Sequence, residues 1–217
     1  MFRQYRELQR NEFLVAGYDL ATGVKDYCAV QFISKTKVDV PIVIHSNKMA
    51  TEITNMLVVV LEKIYEKTGV PVLIAPETNA GGVYEIDRLL GMNRINAYEV
   101  WQQPAGIGQI ADQQPRRYGW TTNVSNRSKM LSDLKHAIDN RVLRIYDKET
   151  ISEMFSFVVV RSGSIWKAQA ESNSRDDLVM SLAIAYQLYL SAETPLTDYS
   201  DVDLPKEQLF NKETGLF

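Results

Sequence analysis

The order of short apolar runs limits the fold of this chain more than any other feature. Three such runs follow one another closely, over residues 13–20, 27–33 and 38–44, and turn-forming residues separate them. Short apolar runs bounded in this way are typical of β-strands, and strands joined by short turns pair as antiparallel neighbours. The first part of the chain therefore predicts a three-stranded antiparallel meander, in which Pro41 places the third strand near an edge or a bulge.

Helices and strands then alternate. Residues 50–68 have the spacing of an amphipathic helix, and Gly69 stands where a left-handed C-cap belongs. A buried strand at 70–75, a helix that ends near Leu90 and a strand at 97–101 follow. This alternation predicts parallel strands joined by crossover helices. The order β-β-β-α-β-α-β thus combines an antiparallel half with a parallel half in one mixed sheet.

The rest of the chain begins with a long polar segment, residues 102–126, which is rich in Gly, Pro and Gln and predicts a loop or hairpin insertion. The predicted elements after it are a helix from Ser125 or Asn126 to about Asn140, a strand at 143–145, a helix at 147–155, a hairpin of 157–160 with 165–168, and a helix at 175–191. The expected division is a linker or appended segment at 1–12, one domain at 13–192 and an acidic tail at 193–217.

Composition excludes several classes of protein and site. The chain has 217 residues, 45% of them hydrophobic, so one large domain can bury a full core. The single cysteine, Cys28, excludes an internal disulfide and a zinc site built on cysteines. No apolar run approaches the roughly 20 residues of a membrane span, which predicts no membrane partner. The P-loop pattern G-x-x-x-x-G-K-[ST] is absent, and His45 and His136 are the only histidines.

Four carboxylates occupy positions where an ionised acid destabilises the fold. Asp19 ends the first apolar strand, Glu77 follows the strand at 70–75, and Asp176 with Asp177 opens an otherwise apolar helix. Burial and neighbouring like charges disfavour an ionised carboxylate, so such a cluster is tolerated mainly when cations neutralise it. Magnesium prefers oxygen ligands, and two such ions bridged by a carboxylate form the site that many nucleases use. The order of the four acids indicates a metal site of this kind.

Each of these acids also has a purely structural interpretation. Asp19 is compatible with an Asx turn before Gly23, and Glu77 with a hydrogen bond to the turn at Asn79. Asp177 stands three residues after Ser174, the spacing of a capping box, and Asp176 would favour the helix dipole.

Four stretches of the chain together carry a family resemblance. The chain resembles the ribonuclease H-like nuclease superfamily and, more specifically, the C-terminal nuclease domain of the large terminase subunit of tailed bacteriophages. The resemblance implies an α/β fold whose mixed sheet is antiparallel in its first three strands, continues with parallel crossover strands and is flanked by helices. The matching stretches are GYDLATG at 17–23, ETNAG at 77–81, GWTTN at 119–123 with Arg127, and SRDDLVMSLA at 174–183.

The same resemblance implies a function. It implies a metal-dependent endonuclease that cuts concatemeric double-stranded DNA during viral genome packaging, by two-metal phosphodiester hydrolysis with two Mg²⁺ or Mn²⁺ ions. The implied catalytic and metal-binding residues are Asp19, Glu77, Asp176 and Asp177. Asp19 would bridge the ions. One or both of Asp176 and Asp177 would hold an ion; the capping argument favours Asp176, and sharing of the role between the two is the alternative.

The resemblance also implies partners. These are double-stranded DNA and, in the parent assembly, the portal, the capsid and the small terminase subunit, within the cytoplasm of the infected bacterial host. The family's ATPase motor is absent, so we expect a fragment of a longer subunit or a separately encoded nuclease.

A basic stretch marks the expected DNA-binding surface. The chain has a formal net charge of -3, yet residues 114–148 contain eight basic and three acidic side chains, a local balance of +5. Such an asymmetry indicates contact with phosphates, although a helix of mixed charge is also typical of a solvated face. Arg127 and Lys129 are favoured because they follow the polar loop and open the helix. The predicted DNA-binding residues are Arg116, Arg117, Arg127, Lys129 and Lys135.

Three other functions are also compatible with the sequence. A ribonuclease H-like junction resolvase or transposase-like nuclease would use the same acids. A DNA-gripping or capsid-docking module would carry the acids without catalysis. A sugar-kinase or chaperone-like ATPase is suggested by the stretch DLATG at 19–23, but the second phosphate loop of those proteins is missing.

Overall fold

The computed structural model describes residues 1–21, 27–79, 81–104, 117–162, 165–170 and 175–195, with the backbone alone for 157–162 and 165–170. Within these ranges nine strands form. They are β1 (Phe2–Gln4), β2 (Leu14–Asp19), β3 (Cys28–Ser34), β4 (Asp39–Ser46), β5 (Val72–Pro76), β6 (Tyr98–Val100), β7 (Arg144–Ile145), β8 (Phe157–Ser162) and β9 (Ile165–Ala170).

Seven of the described strands make one mixed sheet in the order β1-β4-β3-β2-β5-β6, with β7 beside β4. The meander β2-β3-β4 is antiparallel, whereas β5 and β6 run parallel to β2. The sheet therefore confirms the predicted combination of an antiparallel and a parallel half. Strands β8 and β9 pair separately as the predicted antiparallel hairpin.

Five helices in the described ranges cover the two faces of the main sheet. They are α1 (Ala50–Thr68), α2 (Gly82–Met92), α3 (Val124–Asp139), α4 (Lys148–Phe155) and α5 (Asp177–Ser191). One hydrophobic core lies between the sheet and the helices α1 and α2, and a second lies between the sheet and the helices α3 and α5. No helix in the described ranges has the length and hydropathy needed to cross a bilayer.

Strand β2 shows why the sheet lies in the middle of the molecule. Leu14, Ala16 and Tyr18 face the first core, while Phe13 and Val15 face the second. Successive side chains of a strand point to opposite faces, so a strand that is buried on both sides must be apolar throughout. The uninterrupted apolar run of the sequence thus predicts a central strand, and β2 does lie between β3 and β5.

The ends of the predicted elements differ from the structure in a few places. Residues 1–12, which the sequence predicts as a linker or appended segment, contain the edge strand β1, which pairs with β4. The N-cap of helix α3 is Asn123, which lies two residues before Ser125 and three before Asn126, the two positions that the sequence predicts for its start. The two ends of the insertion at 102–126 pair with each other. Gln102 and Tyr118 form an antiparallel bridge, and the N–H of Gln103 donates to Arg117 O at 2.8 Å.

Candidate active site

The adjacent parallel strands β2 and β5 place the first two acids together. Tyr18 pairs with Pro76 in the register of these strands, so Asp19 and Glu77 follow side by side at the same edge. The backbone N–H of Glu77 donates to Tyr18 O at 2.8 Å, which continues the ladder past the end of β5. Because the carboxyl ends of parallel strands meet at one edge, both side chains point to the same part of the surface.

The two carboxyl groups interact directly. Burial raises the pKa of Asp19 well above its ordinary value, and the charge of Glu77 and a hydrogen bond between the two groups raise it further. Asp177 and Asp176 add smaller repulsions in the same direction. Asp19 therefore experiences the charges of the other three predicted acids. A cation at this edge would relieve the repulsion and favour the ionised form of Asp19.

The close approach of α5 to the sheet depends on Gly17. A Cβ atom at this position would lie 2.1 Å from Ser181 O and 2.6 Å from the backbone nitrogen of Ala185. Any larger residue would push the helix away from β2, because helix backbone cannot yield as a side chain does. Gly17 thereby lets the first turn of α5, which carries Asp177, lie near Asp19.

Two polar side chains, one buried and one half-buried, fix that first turn. Gln31, in the middle of β3, donates from Nε2 to Leu178 O at 2.8 Å and to Thr150 Oγ1 at 3.0 Å. Glu153, on α4, accepts from the N–H of Val179 at 3.0 Å, which satisfies one of the unpaired donors at a helix start. Burial, and then the charges of Asp177 and Asp176, raise the pKa of Glu153 to about 7. The site therefore contains a fifth carboxylate that the sequence interpretation did not name.

Glu77 is held by the loop that follows it. Asn79 donates from Nδ2 to Glu77 Oε1 at 3.0 Å and to Thr122 O at 3.1 Å. A Cβ atom on Gly82 would lie 1.8 Å from Glu77 O, so glycine is needed for α2 to begin here. The structural interpretation of Glu77, a bond to the turn at Asn79, is thus realised together with its position beside Asp19.

The structural interpretations of Asp19 and Asp177 do not match the structure. In an Asx turn Asp19 would accept from the N–H of Ala21, but that N–H donates to Cys28 Sγ at 3.4 Å. Helix α5 has Asp176 as its N-cap and makes no side-chain capping bond there. Asp177 is therefore the first residue of the helix and not the third residue of a capping box. Ser174 and Gly23 lie outside the described residues.

Asp176 is bound to a cation of the protein itself. Its Oδ2 accepts from Arg127 Nη2, on α3, at 2.5 Å. Within the described ranges, no three His, Cys, Asp or Glu side chains converge closely enough to hold a metal ion. Asp19 lies beside Glu77, and Asp176 forms an ion pair with Arg127. The metal ligands that these acids offer are all carboxylate oxygens, which are the ligands that Mg²⁺ and Mn²⁺ prefer.

The predicted DNA-binding residues have different partners in the structure. Arg127 meets Asp176, whereas Lys129 and Lys135 pair along α3 with Asp133 and Asp139, each at 2.5 Å. These two pairs are typical of a solvated helix face. Arg117 is exposed beside the foot of the insertion, and Arg116 lies outside the described residues.

No model of a known protein family and no curated protein sequence matches the chain. Solved structures do. The large terminase nuclease of the thermophilic phage G20c with bound magnesium has a TM-score of 0.59 and 20% identity over 85% of this chain and 84% of its own. The Thermus phage P74-26 large terminase nuclease domain has a TM-score of 0.59 and 19% identity over 88% and 85%.

This chain has the fold of a large terminase nuclease domain. A more distant match, the manganese-soaked human cytomegalovirus terminase nuclease domain with an inhibitor, has a TM-score of 0.53 and 11% identity over 81% of this chain and 82% of its own. The predicted mixed sheet flanked by helices is thereby confirmed. At these identities the terminase nuclease fold is shared, whereas the roles of individual residues depend on the geometry above.

The sequence did contain signals for the residues that the prediction missed. Gln31 is a polar residue inside the apolar run 27–33, and β3 is buried at every position. Glu153 stands three residues after the buried Thr150, which places both on the same face of α4. A polar residue in a buried pattern indicates a specific hydrogen bond, so both positions could have been chosen from the sequence.

Proposed function

We propose that this chain is a metal-dependent endonuclease that cuts double-stranded DNA, as the resemblance to terminase nuclease domains implies. The observation that supports the proposal is that Asp19 ends β2 beside Glu77, where burial and the charges of Glu77, Asp177 and Asp176 raise its pKa. Acids that repel one another in this way are stabilised by divalent cations.

The proposed ligands are these four acids, with two Mg²⁺ or Mn²⁺ ions and Asp19 between them. When bound, such ions activate water and stabilise the leaving oxygen of a phosphodiester. The residues of the chain would hold and orient them: Glu77 is positioned by Asn79, and the aspartate pair by Gln31 and Glu153. Magnesium in the G20c nuclease and manganese in the cytomegalovirus nuclease support this choice of ion.

The DNA would approach this edge past α3 and the insertion. The proposed DNA contacts are Arg116, Arg117, Arg127, Lys129 and Lys135, of which Arg127 is nearest to the acids because it bonds Asp176. In the parent assembly we propose the portal, the capsid and the small terminase subunit as partners, in the cytoplasm of an infected bacterium. The proposed nuclease domain is residues 13–192, with a tail at 193–217.

Cleavage of supercoiled plasmid in Mn²⁺, with EDTA as the control, tests the proposal. We expect nicked and linear products in Mn²⁺, none in EDTA, and none from Asp19→Asn, which removes a charge with little change of shape. Intact plasmid over a wide range of protein and Mn²⁺ concentrations would contradict nuclease activity.

A non-catalytic DNA-gripping module is the second candidate. It is favoured by the Arg127–Asp176 ion pair and by the lack of a ready-made ion site among the described residues. Calorimetric titration with Mn²⁺ separates the two candidates. Retained DNA binding without any Mn²⁺ binding would support the module.

A further inference from the structure

Two aromatic residues, Tyr27 and His45, lie at the same edge of the sheet as the acids, on the side of β3 and β4. Ala29 of β3 pairs with Asp19 on one side and with His45 of β4 on the other. Tyr27 directly precedes β3, so it lies at this edge between the strands that carry Asp19 and His45. Neighbouring strands are about 4.8 Å apart, and both residues are therefore within a few strand spacings of Glu77.

Tyr27 contacts both His45 and Arg175, and we call this cluster the stack, although its two rings are inclined by 38°. The ring of Tyr27 lies 4.8 Å from the ring of His45, and the guanidinium carbon of Arg175 lies 3.7 Å from the centre of the Tyr27 ring. The ring of His45 is positioned by Glu149, because its Nδ1 lies 3.1 Å from Glu149 Oε2. The stack therefore holds Arg175, which directly precedes Asp176, at a defined place beside the acids.

Arg175 differs from the other cations near the site. Arg127, Lys129 and Lys135 each pair with an aspartate. In the parts of the chain that the structure describes, no carboxylate forms an ion pair with the exposed Arg175. A guanidinium held over a ring face by a cation–π contact keeps N–H donors that match the oxygens of a phosphate.

We propose that Arg175, supported by Tyr27 and His45, binds a backbone phosphate of the DNA at the β3–β4 flank of the acids. This inference rests on the proposed function, since DNA is the ligand of both. The predicted contacts on α3 lie on the other flank. Arg175 would thus hold the duplex from the second side and offset the repulsion between its phosphates and the four acids.

The chemistry favours a phosphate of a polymer over a free phosphate ion. A single guanidinium next to four carboxylates attracts a small dianion weakly, because the acids repel it. A DNA strand is held by several contacts at once, and each neutralised phosphate releases counterions. A residue that contacts one phosphate therefore shows itself in the salt dependence of binding.

Binding of a fluorescent duplex, measured by anisotropy in EDTA over a range of salt concentrations, tests the proposal without cleavage. Arg175→Ala should weaken binding roughly tenfold and lower the slope of log Kd against log salt by about 0.9. Arg94→Ala is the matched control. It removes the same charge from an exposed arginine beyond the end of α2, far from the acids, and should leave both quantities unchanged.

A pair of variants tests the platform independently. Tyr27→Phe keeps the ring and should bind as the wild type does, whereas Tyr27→Leu should lose part of the affinity with an unchanged melting temperature. Equal Kd values and salt slopes for Arg175→Ala and Arg94→Ala would overturn the proposal. If Arg175→Ala does not fold, equal binding by Tyr27→Phe and Tyr27→Leu would overturn it.

Calorimetric titration with inorganic phosphate separates the two sources of the ligand. We expect no saturable heat in the millimolar range. Saturable heat that disappears in Arg175→Ala would assign the site to free phosphate and overturn the DNA contact. All these measurements omit metal, so they can fail while Mn²⁺-dependent cleavage succeeds, and the reverse also holds.

Discussion

Buried acids lie at both ends of the strands of the main sheet, and we call these two ends its edges. The partners of the acids differ between the two edges. At the edge opposite the candidate site, Arg6 bonds Asp39 Oδ2 at 2.7 Å and Glu12 Oε2 at 3.1 Å. Tyr146 adds a bond to Asp39 of 3.0 Å. At the other edge Asp19 meets Glu77, a second carboxyl group, instead of a cation.

The electrostatic consequences are opposite. Burial alone would raise the pKa of Glu12, but hydrogen bonds from Arg6 and Ser34 hold it below its ordinary value. Burial likewise raises the pKa of Asp19, and there the neighbouring acids raise it further. Burial of an acid therefore does not by itself indicate a function. The partner decides, because an arginine completes a structural cluster while a second acid leaves a place for an external cation.

The largest expected effect is on activity at the Asp19 edge. Asp19→Asn should lower plasmid cleavage in Mn²⁺ by roughly a thousandfold or more, since it removes the charge proposed to hold both ions. Its melting temperature should stay the same or rise, because a repelled buried charge is lost. Cleavage within tenfold of the wild type would contradict the assignment.

A substitution at the opposite edge should lower the free energy of unfolding and leave cleavage activity unchanged. Arg6→Ala leaves the carboxylates of Glu12 and Asp39, which are 1% and 3% exposed, without their cation. Breaking a buried ion pair from one side costs about 3 kcal/mol, which urea unfolding would measure. Cleavage per folded molecule should not change. A loss below about 0.5 kcal/mol, the range of ordinary surface substitutions, would show that this cluster is not structural.

Metal ions should stabilise only one of the two edges. At a hundredfold excess of Mn²⁺ over its Kd, binding to the folded state alone adds about 2.7 kcal/mol to the free energy of unfolding. Asp19→Asn should abolish the resulting rise in melting temperature, whereas Asp39→Asn, the matched variant at the other edge, should retain it. The same rise in both variants would place the ion elsewhere.

The smallest expected effect is a pH dependence at Glu153. Its pKa is raised from 4.5 to about 7 in the folded protein, so the folded state binds more protons than the unfolded state between these values. Stability in EDTA should therefore fall as the pH rises from about 4.5 through 7, by about 2 kcal/mol. Glu153→Gln lacks this titration but keeps an acceptor for the N–H of Val179. A stability difference between the two proteins that is constant with pH would refute the shift.

The sequence predicted the elements that depend on apolar pattern and on backbone chemistry. The continuous apolar run of β2 indicated a central strand, and Gly69 does end α1 in the left-handed conformation. Strand β1 could not be predicted in the same way. It has three residues, Phe2–Gln4, and is stabilised by pairing with β4 and by ion pairs such as Arg3–Asp147, which local sequence does not contain.

The site was predictable to the extent that strand ends determine it. Asp19 and Glu77 follow from two parallel strands, and Asp176 and Asp177 from the start of α5. The contact of Arg127 with Asp176 and the stack of Arg175 on Tyr27 join segments 49 and 148 residues apart. Such contacts arise from tertiary packing, so the periodicity of a single sequence does not reveal them.

The central claim is that the four acids at the end of β2, β5 and the start of α5 jointly bind divalent cations. A crystal structure with Mn²⁺, in which anomalous scattering locates the ions, tests it most directly. The claim predicts manganese in contact with Asp19 and with Glu77 or the aspartate pair. A crystal with Mn²⁺ bound elsewhere, and with Asp19 still hydrogen-bonded to Glu77, would contradict it.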